Sequence, residues 1–232
     1  MKQVNAVTAG LHAELGNVAA VNARFGSHQS LSVLAPQLAQ SERTLAQLAA
    51  RLAALKPPQE AKPMAATLAR YVAVARSLVA ELHGFALFIP PFSATVKRAD
   101  RVSAAFRRAA RTAKGLPAQA AAVAAYGEGL SRPLAELGRL SPPQVLRPSY
   151  VSEVRVLQSS RTTALALAAA LRLRQAAKVH ALVQQLARET AGNGSVATQR
   201  AQIAAIRAYD AKVAEIGRLQ SRAQRQMAAL AK

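Results

Sequence analysis

The sequence predicts an all-α protein, an elongated antiparallel helical bundle built from two related helical units. Three observations predict it. Apolar residues make up 51% of the 232, alanine supplies much of that share, and alanine, leucine and arginine are intrinsically strong helix formers. Runs of β-branched residues bounded by turn residues, the mark of strands, are missing. One proline-interrupted phrase is also written twice. LAALKPPQEAKP (residues 52–63) and LGRLSPPQVLRP (residues 137–148) share Leu, Leu, Pro, Pro, Gln and Pro at the same six offsets.

The elements follow in order. Val4, Leu11, Val18 and Phe25 recur every seven residues, with Val7, Leu15 and Val21 between them, so a first amphipathic helix ends near Gly26. Leu38, Leu45, Leu48, Leu52 and Leu55 form a second seam, after Pro36. Met64, Leu68, Tyr71, Ala75, Leu78 and Leu82 step alternately by four and three, a third seam that should end before Pro90-Pro91. A fourth helix, about 94–114, stops near Gly115 and Pro117. A fifth runs from about 118 to 140, and its Gly127, Gly129 and Pro133 predict a kink or break. From Ser149 to Ala191 there is no Gly or Pro, which predicts one helix of about forty residues, roughly 60 Å long. The turn AGNGS, residues 191–195, ends it; its Asn-Gly-Ser is read as a turn, not as a glycosylation acceptor. The last helix places Ile206, Tyr209, Val213, Ile216, Met227 and Leu230 on an a/d pattern, with Gln220 and Ala223 as weak members.

The repeated prolines read as punctuation. Proline cannot continue a helix interior but suits a first turn. Ser141 and Gln144 have capping-box spacing, with Pro142 at the first helical position; Lys56 replaces the serine in the first copy. Pro63 and Pro148 then open the next long helix. Each phrase is thus a corner between antiparallel helices, anchored by Leu52 and Leu55 or by Leu137 and Leu140. AEIGRLQ (214–220) resembles AELGRLS (135–141), a partial third copy without prolines. The predicted division is an N-terminal helical unit, 1–115, and a C-terminal one, 116–232, with one continuous bundle as the alternative.

LAALKPP, LGRLSPP and the tyrosine-led helices AAYGEGLSRPLAELGRL and RAYDAKVAEIGRL carry a resemblance, in outline over residues 45–219. The chain resembles Ala/Arg-rich helical exported proteins and lipoproteins of high-GC Gram-positive bacteria. The resemblance implies a helical bundle outside the cytoplasm, in the cell envelope, and supplies no activity. Such proteins usually begin with a signal peptide or a lipid-modified cysteine. Here MKQVNAVTAGLHAEL has no apolar h-region and the chain has no cysteine, so a cytoplasmic location stays open.

Charge is the largest anomaly. Thirty-one Lys and Arg stand against eleven Asp and Glu, a net +20. Such a surface attracts anions at long range: nucleic acid, anionic lipid, cell-wall polymers or acidic proteins. A bias toward Arg and Ala from a GC-rich coding sequence is the competing explanation. The absence of cysteine excludes disulfides and thiolate metal sites. The most apolar stretch, residues 72–92, contains Arg76, Glu81 and His83 and makes a poor membrane span, so a soluble chain is expected.

No enzyme is predicted. His12, His28, His83 and His180 lie in neither HExxH nor Glu-x-x-His spacing, and no set of helices supplies the paired carboxylates of a di-iron bundle. The acids are scattered among arginines and read as ion-pair partners; Glu136 and Glu215 occupy equivalent repeat positions, which favours a structural role. No P-loop, dinucleotide fingerprint or nucleophile elbow is present. No cofactor and no metal are expected.

Two local features stand out. In VKRADRVSAAFRRAARTAKG (96–115), Lys97, Arg101, Arg108 and Arg111 line one side of a helix and Arg98 and Arg107 flank them, opposite Val102, Phe106, Ala109 and Ala113. Its arginines either face water or bind phosphate on nucleic acid or lipid. Its apolar face is mostly alanine, too small for free membrane insertion. In FALFIPPF (85–92), Phe85, Phe88 and Phe92 surround Pro90-Pro91, either capping a bundle end or, if exposed, forming an apolar contact patch. The leading expectation is a non-enzymatic binding or structural protein that associates with an anionic surface, lipid headgroups or cell-wall polymer, through Lys97, Arg98, Arg101, Arg107, Arg108 and Arg111. The alternatives are a cytoplasmic protein that binds nucleic acid through phosphate contacts without sequence specificity, and a bundle whose Leu- and Val-lined interior holds a small ligand.

Overall fold

The computed structural model describes residues 9, 10, 13, 14, 16, 17, 31–191 and 196–230. The predicted first helix seam, His12, His28 and the Asn-Gly-Ser turn lie outside the described residues. The described elements are helices throughout: α1 (Leu31–Ala53), a 3-10 turn (Gln59–Ala61), α2 (Lys62–Thr112), α3 (Gly115–Gly129), α4 (Ser131–Leu137), α5 (Arg147–Arg172), α6 (Ala176–Ala191) and α7 (Val196–Leu230). The all-α class therefore holds.

The chain divides into two compact units, but not near Gly115. Unit 1 comprises Met1–Pro90 with Ala205–Lys232, and unit 2 comprises Pro91–Ala204. The predicted division at 115/116 differs because it assigns each helix to one side. Here α2 contributes its first part to unit 1 and its remainder to unit 2. The third and fourth predicted helices are this one helix: α2 continues through Pro90-Pro91. Two prolines remove two backbone donors, at a cost of about 3 kcal/mol or more for a helix interior. Packing on either side opposes that cost. Phe88 is buried and Phe92 packs on the unit 2 core; the carbonyls left without these donors belong to Ala86, which is buried, and Leu87, which is exposed. Pro36 likewise falls inside α1 rather than before it.

Unit 1 buries the predicted seams. Leu34, Leu38 and Leu45 of α1 meet Leu68, Tyr71 and Val79 of α2, all nearly inaccessible, and Leu219 and Ala223 of α7 join them. Charged pairs hold α7 on α2: Arg70 to Glu215 at 2.6 Å, and Lys212 to Glu81, with Lys212 also donating to Ser77 at 3.0 Å. His83 meets Glu42 of α1 at 3.2 Å. Burial pushes the Tyr71 phenol from its ordinary 10.0 up to about 12, and its hydroxyl has no hydrogen-bond partner among the described residues. The unfolded chain therefore loses this proton first. Stability present below pH 10 should fall as pH rises from about 10 to about 12. Tyr71→Phe should flatten that decline and raise stability at neutral pH by about 1 kcal/mol, because no unpaired buried hydroxyl remains. Denaturant midpoints measured at pH 7 and pH 11 check both expectations.

Unit 2 is built on close helix contacts. A Cβ on Gly127 would lie 2.9 Å from Leu165 Cγ and 3.3 Å from the Arg161 carbonyl oxygen, so glycine lets α3 approach α5. Phe106 of α2 stacks on Tyr126 of α3 with ring centroids 4.7 Å apart. The predicted break in the fifth helix appears at Leu130, which separates α3 from α4 and is itself fully buried.

Both proline phrases form corners, and Pro63 and Pro148 sit in the first turns of α2 and α5. The capping box does not form. Helix α5 starts at Arg147, and residues 144–146 make a turn closed by the Leu146 N–H on the Pro143 carbonyl at 2.9 Å. Ser141 and Pro142 each precede a proline, which disfavours the α conformation at both. Instead, the Tyr150 hydroxyl donates to the Leu137 carbonyl at 2.6 Å and caps the end of α4.

The predicted forty-residue helix is two. It breaks at residues 173–175, and α6 folds back along α5. Arg174 takes a left-handed φ of 54°; its N–H bonds the Leu171 carbonyl at 3.2 Å while the Gln175 N–H bonds that of Ala170 at 3.0 Å. That pair is a Schellman cap, which ordinarily places glycine where Arg174 stands. Arg174→Gly should raise stability by about 1 kcal/mol, since left-handed φ costs an L-residue that much; a thermal melt of the purified variant tests it.

Candidate functional site

The basic helix lies in the unit 2 part of α2. Val102 and Phe106 pack against the unit 2 core and Ala99 is buried, which turns the opposite face to solvent. Lys97, Arg101, Arg107, Arg108 and Arg111 are exposed and make no ion pair among the described residues. Arg98 differs. It pairs with Glu136, which Arg132 also meets at 3.1 Å and whose other oxygen accepts from the Thr95 hydroxyl at 3.3 Å. Partial desolvation would raise the Glu136 carboxyl. The Arg132 hydrogen bond and the charges of Arg98 and Arg132 outweigh it and hold the carboxyl below its ordinary range. Arg98 therefore acts as a brace between α2 and α4, not as part of an open cationic face.

The aromatic cluster is not an exposed patch. Phe88 is buried, Phe85 is half-buried on the unit 1 core, and Phe92 packs on the unit 2 core with its ring 6.3 Å from that of Tyr150. Within the same stretch Leu87 and Pro91 stand out in water.

Sequence reasoning missed half of the basic site. Helix α3 runs antiparallel to α5, since Gly127 meets Leu165 and the Arg161 side chain donates to Ser131 at 3.0 Å. The Phe106–Tyr126 stack sets α2 antiparallel to α3. The α2–α3 turn and the α5–α6 turn thus share one end of unit 2. From α2 and α3, residues 106–123 bring Arg107, Arg108, Arg111 and Lys114 to that end. From α5 and α6, residues 164–186 bring Arg172, Arg174 and Lys178. Neither stretch contains an Asp or Glu. All seven cations are exposed, and so are Leu116 and, at 67%, Leu173. No sequence signal marked Arg172–Lys178, because a helix running straight through them would scatter them along one rod.

The acids of unit 2 lie outside both stretches. Glu189 accepts from Ser159, Thr163 and Gln185, and the Thr163 and Gln185 contacts are 3.1 and 3.0 Å. Burial raises the Glu153 carboxyl, and the nearby charge of Asp100 adds to it. Over the whole unit, seventeen Lys and Arg face five Asp and Glu, a net +12 of the total +20.

Between α2, α3, α5 and α6 at the same end opens an apolar groove of about 420 Å³. Among the described residues no group of three or more His, Asp or Glu side chains is placed to hold a metal ion. The stretch Gln59–Thr112 is long and apolar enough to cross a membrane by length and composition alone. Leu68, Val72 and Val79 of this helix are buried in the unit 1 core, Leu87 is exposed, and 39% of its most apolar window is buried. No protein-family model, curated protein or solved structure matches the chain.

Proposed function

We propose that the protein is a non-enzymatic binding protein that docks on an anionic surface with the two-turn end of unit 2. The observation that carries this reading is a local concentration of charge: seven exposed cations from two separate turns, no acid in either stretch, and exposed Leu116 and Leu173 at the same end. Each Lys or Arg held near an anionic bilayer contributes about 1 kcal/mol, and the two leucines add apolar contact at headgroup depth. The resemblance to exported and lipid-anchored helical proteins favours the cell envelope as the setting.

The two units further read as copies of one helical unit. At an offset of 85 residues, buried Leu38, Leu45, Leu52, Val72, Val79 and Leu82 correspond to buried Val123, Leu130, Leu137, Leu157, Ala164 and Leu167. Helices α2 and α5 begin at Lys62 and Arg147, the same offset apart.

Salt titrations of binding to anionic liposomes and to duplex DNA test the function. Docking predicts liposome binding that survives physiological salt, with DNA released. Retention of DNA with liposomes left free would transfer the site to nucleic acid, and loss of both at modest salt would reduce the charge to diffuse attraction.

A further inference from the structure

We infer that the apolar groove of unit 2 is a ligand site for a single-chain anionic amphiphile, a long-chain fatty acid, with its hydrocarbon between the helices and its carboxylate at the α2 rim. This goes beyond surface docking and starts from a different observation, the groove itself.

The lining fits hydrocarbon. Leu167, Leu171 and Leu186 form the floor, and Phe106, Val179 and Val183 the walls. No lining residue is charged. Gln119 and Thr190 are the polar ones, and the Thr190 hydroxyl is occupied by the Leu186 carbonyl of its own helix at 2.9 Å. Val183 is 49% exposed although it faces this groove, so apolar surface stands open to water that a chain would cover. The volume of about 420 Å³ lies near the lower end of the range for small-molecule sites, which suits one chain and excludes a two-chain lipid held whole.

The rim supplies the charge. On α2 the lining residues are Phe106 and Ala110. Arg107 and Arg111 each follow one of them, about 100° round the helix, and Lys114 stands in the extended link two residues beyond the end of α2. None of these three cations has an ion-pair partner among the described residues. On the facing wall the flank of Val183 carries His180 and Gln184, bonded to each other at 2.9 Å. Residues 101–127 and 154–188, which contain every lining position but Thr190 at the edge, hold no Asp or Glu. An apolar trough with cations along one lip selects a chain that ends in an anion.

The test is a fluorescence titration of the full chain with a conjugated-polyene fatty acid and with the alcohol of the same chain. Saturable binding at one per protein is expected for the acid, with the alcohol about ten-fold weaker, equivalent to one lost charged contact. Arg107→Gln with Arg111→Gln and Lys114→Gln should bring the acid to the level of the alcohol. Ala110→Phe with Ala187→Phe fills the groove from two exposed positions and should abolish binding of both, and Val183→Glu should do so for the acid without adding bulk to the core. Unchanged binding in a folded groove variant, or no saturable signal from the native chain, overturns the site; equal affinity for acid and alcohol overturns the role of the cations. A native chain that docks on liposomes but takes no fatty acid sinks this inference alone, and one that takes the acid but ignores liposomes sinks the docking alone.

Discussion

Reversing Arg101, Arg107, Arg108 and Arg111 to Glu is expected to abolish liposome docking at physiological salt while helicity by circular dichroism stays unchanged. These four side chains are exposed and bear no ion pair among the described residues, so no packing is lost with them. At about 1 kcal/mol for each basic residue near an anionic bilayer, removing four contacts alone weakens binding about a thousand-fold, and four repulsions add to it. Glu at position 111 lies in the last turn of α2, where the helix dipole disfavours a negative charge. The matching set of Gln substitutions avoids that cost and should still weaken binding strongly. Arg98→Gln provides the contrast. It should leave docking nearly intact, because that side chain is committed to Glu136, and lower stability slightly instead. If the reversed protein sediments with liposomes as the native one does, the docking face lies elsewhere.

Leu45→Ala and Leu130→Ala should each destabilise the protein by about 2–5 kcal/mol, the cost of a cavity where a fully buried leucine stood. The two residues lie 85 positions apart in separate cores, and the proposed relation of the two units as copies predicts comparable losses. Amide exchange locates each effect. Protection should fall in Pro91–Ala204 for Leu130→Ala, and in Met1–Pro90 with Ala205–Lys232 for Leu45→Ala. Equal loss along the whole chain in both variants would mean a single cooperative body, and the two-unit division would have no energetic counterpart.

Much of the helix content was legible before any coordinates. The seams Leu38–Leu45–Leu52 and Leu68–Tyr71–Ala75–Leu78–Leu82 are buried as their spacing requires, because a 3.6-residue period leaves a helix one apolar side to hide. The corners at both proline phrases followed from proline's missing donor. The errors share one cause. Helix ends at Pro90-Pro91 and near residue 174 were judged from local propensity, and packing overrode propensity in both directions. Buried Phe88 and core-packed Phe92 flank two prolines that the helix runs through, while the hairpin of α6 on α5 forces a left-handed arginine where no glycine warned of a turn.

The candidate site divides along the same line. The basic face of α2 could be read from the sequence, since Lys97, Arg101, Arg108 and Arg111 recur at helical spacing within one element. That Arg98 leaves this face depends on Glu136, thirty-eight residues away. That Arg172, Arg174 and Lys178 join it, and that a groove opens beside Arg107, depends on where two turns come to rest. By itself the sequence determined composition, net charge, the helical class and the faces of single helices, because those follow from neighbours within a turn or two. Only the tertiary structure decided which cations stand together, which are neutralised, and what lies between them, because these are set by contacts between residues distant along the chain.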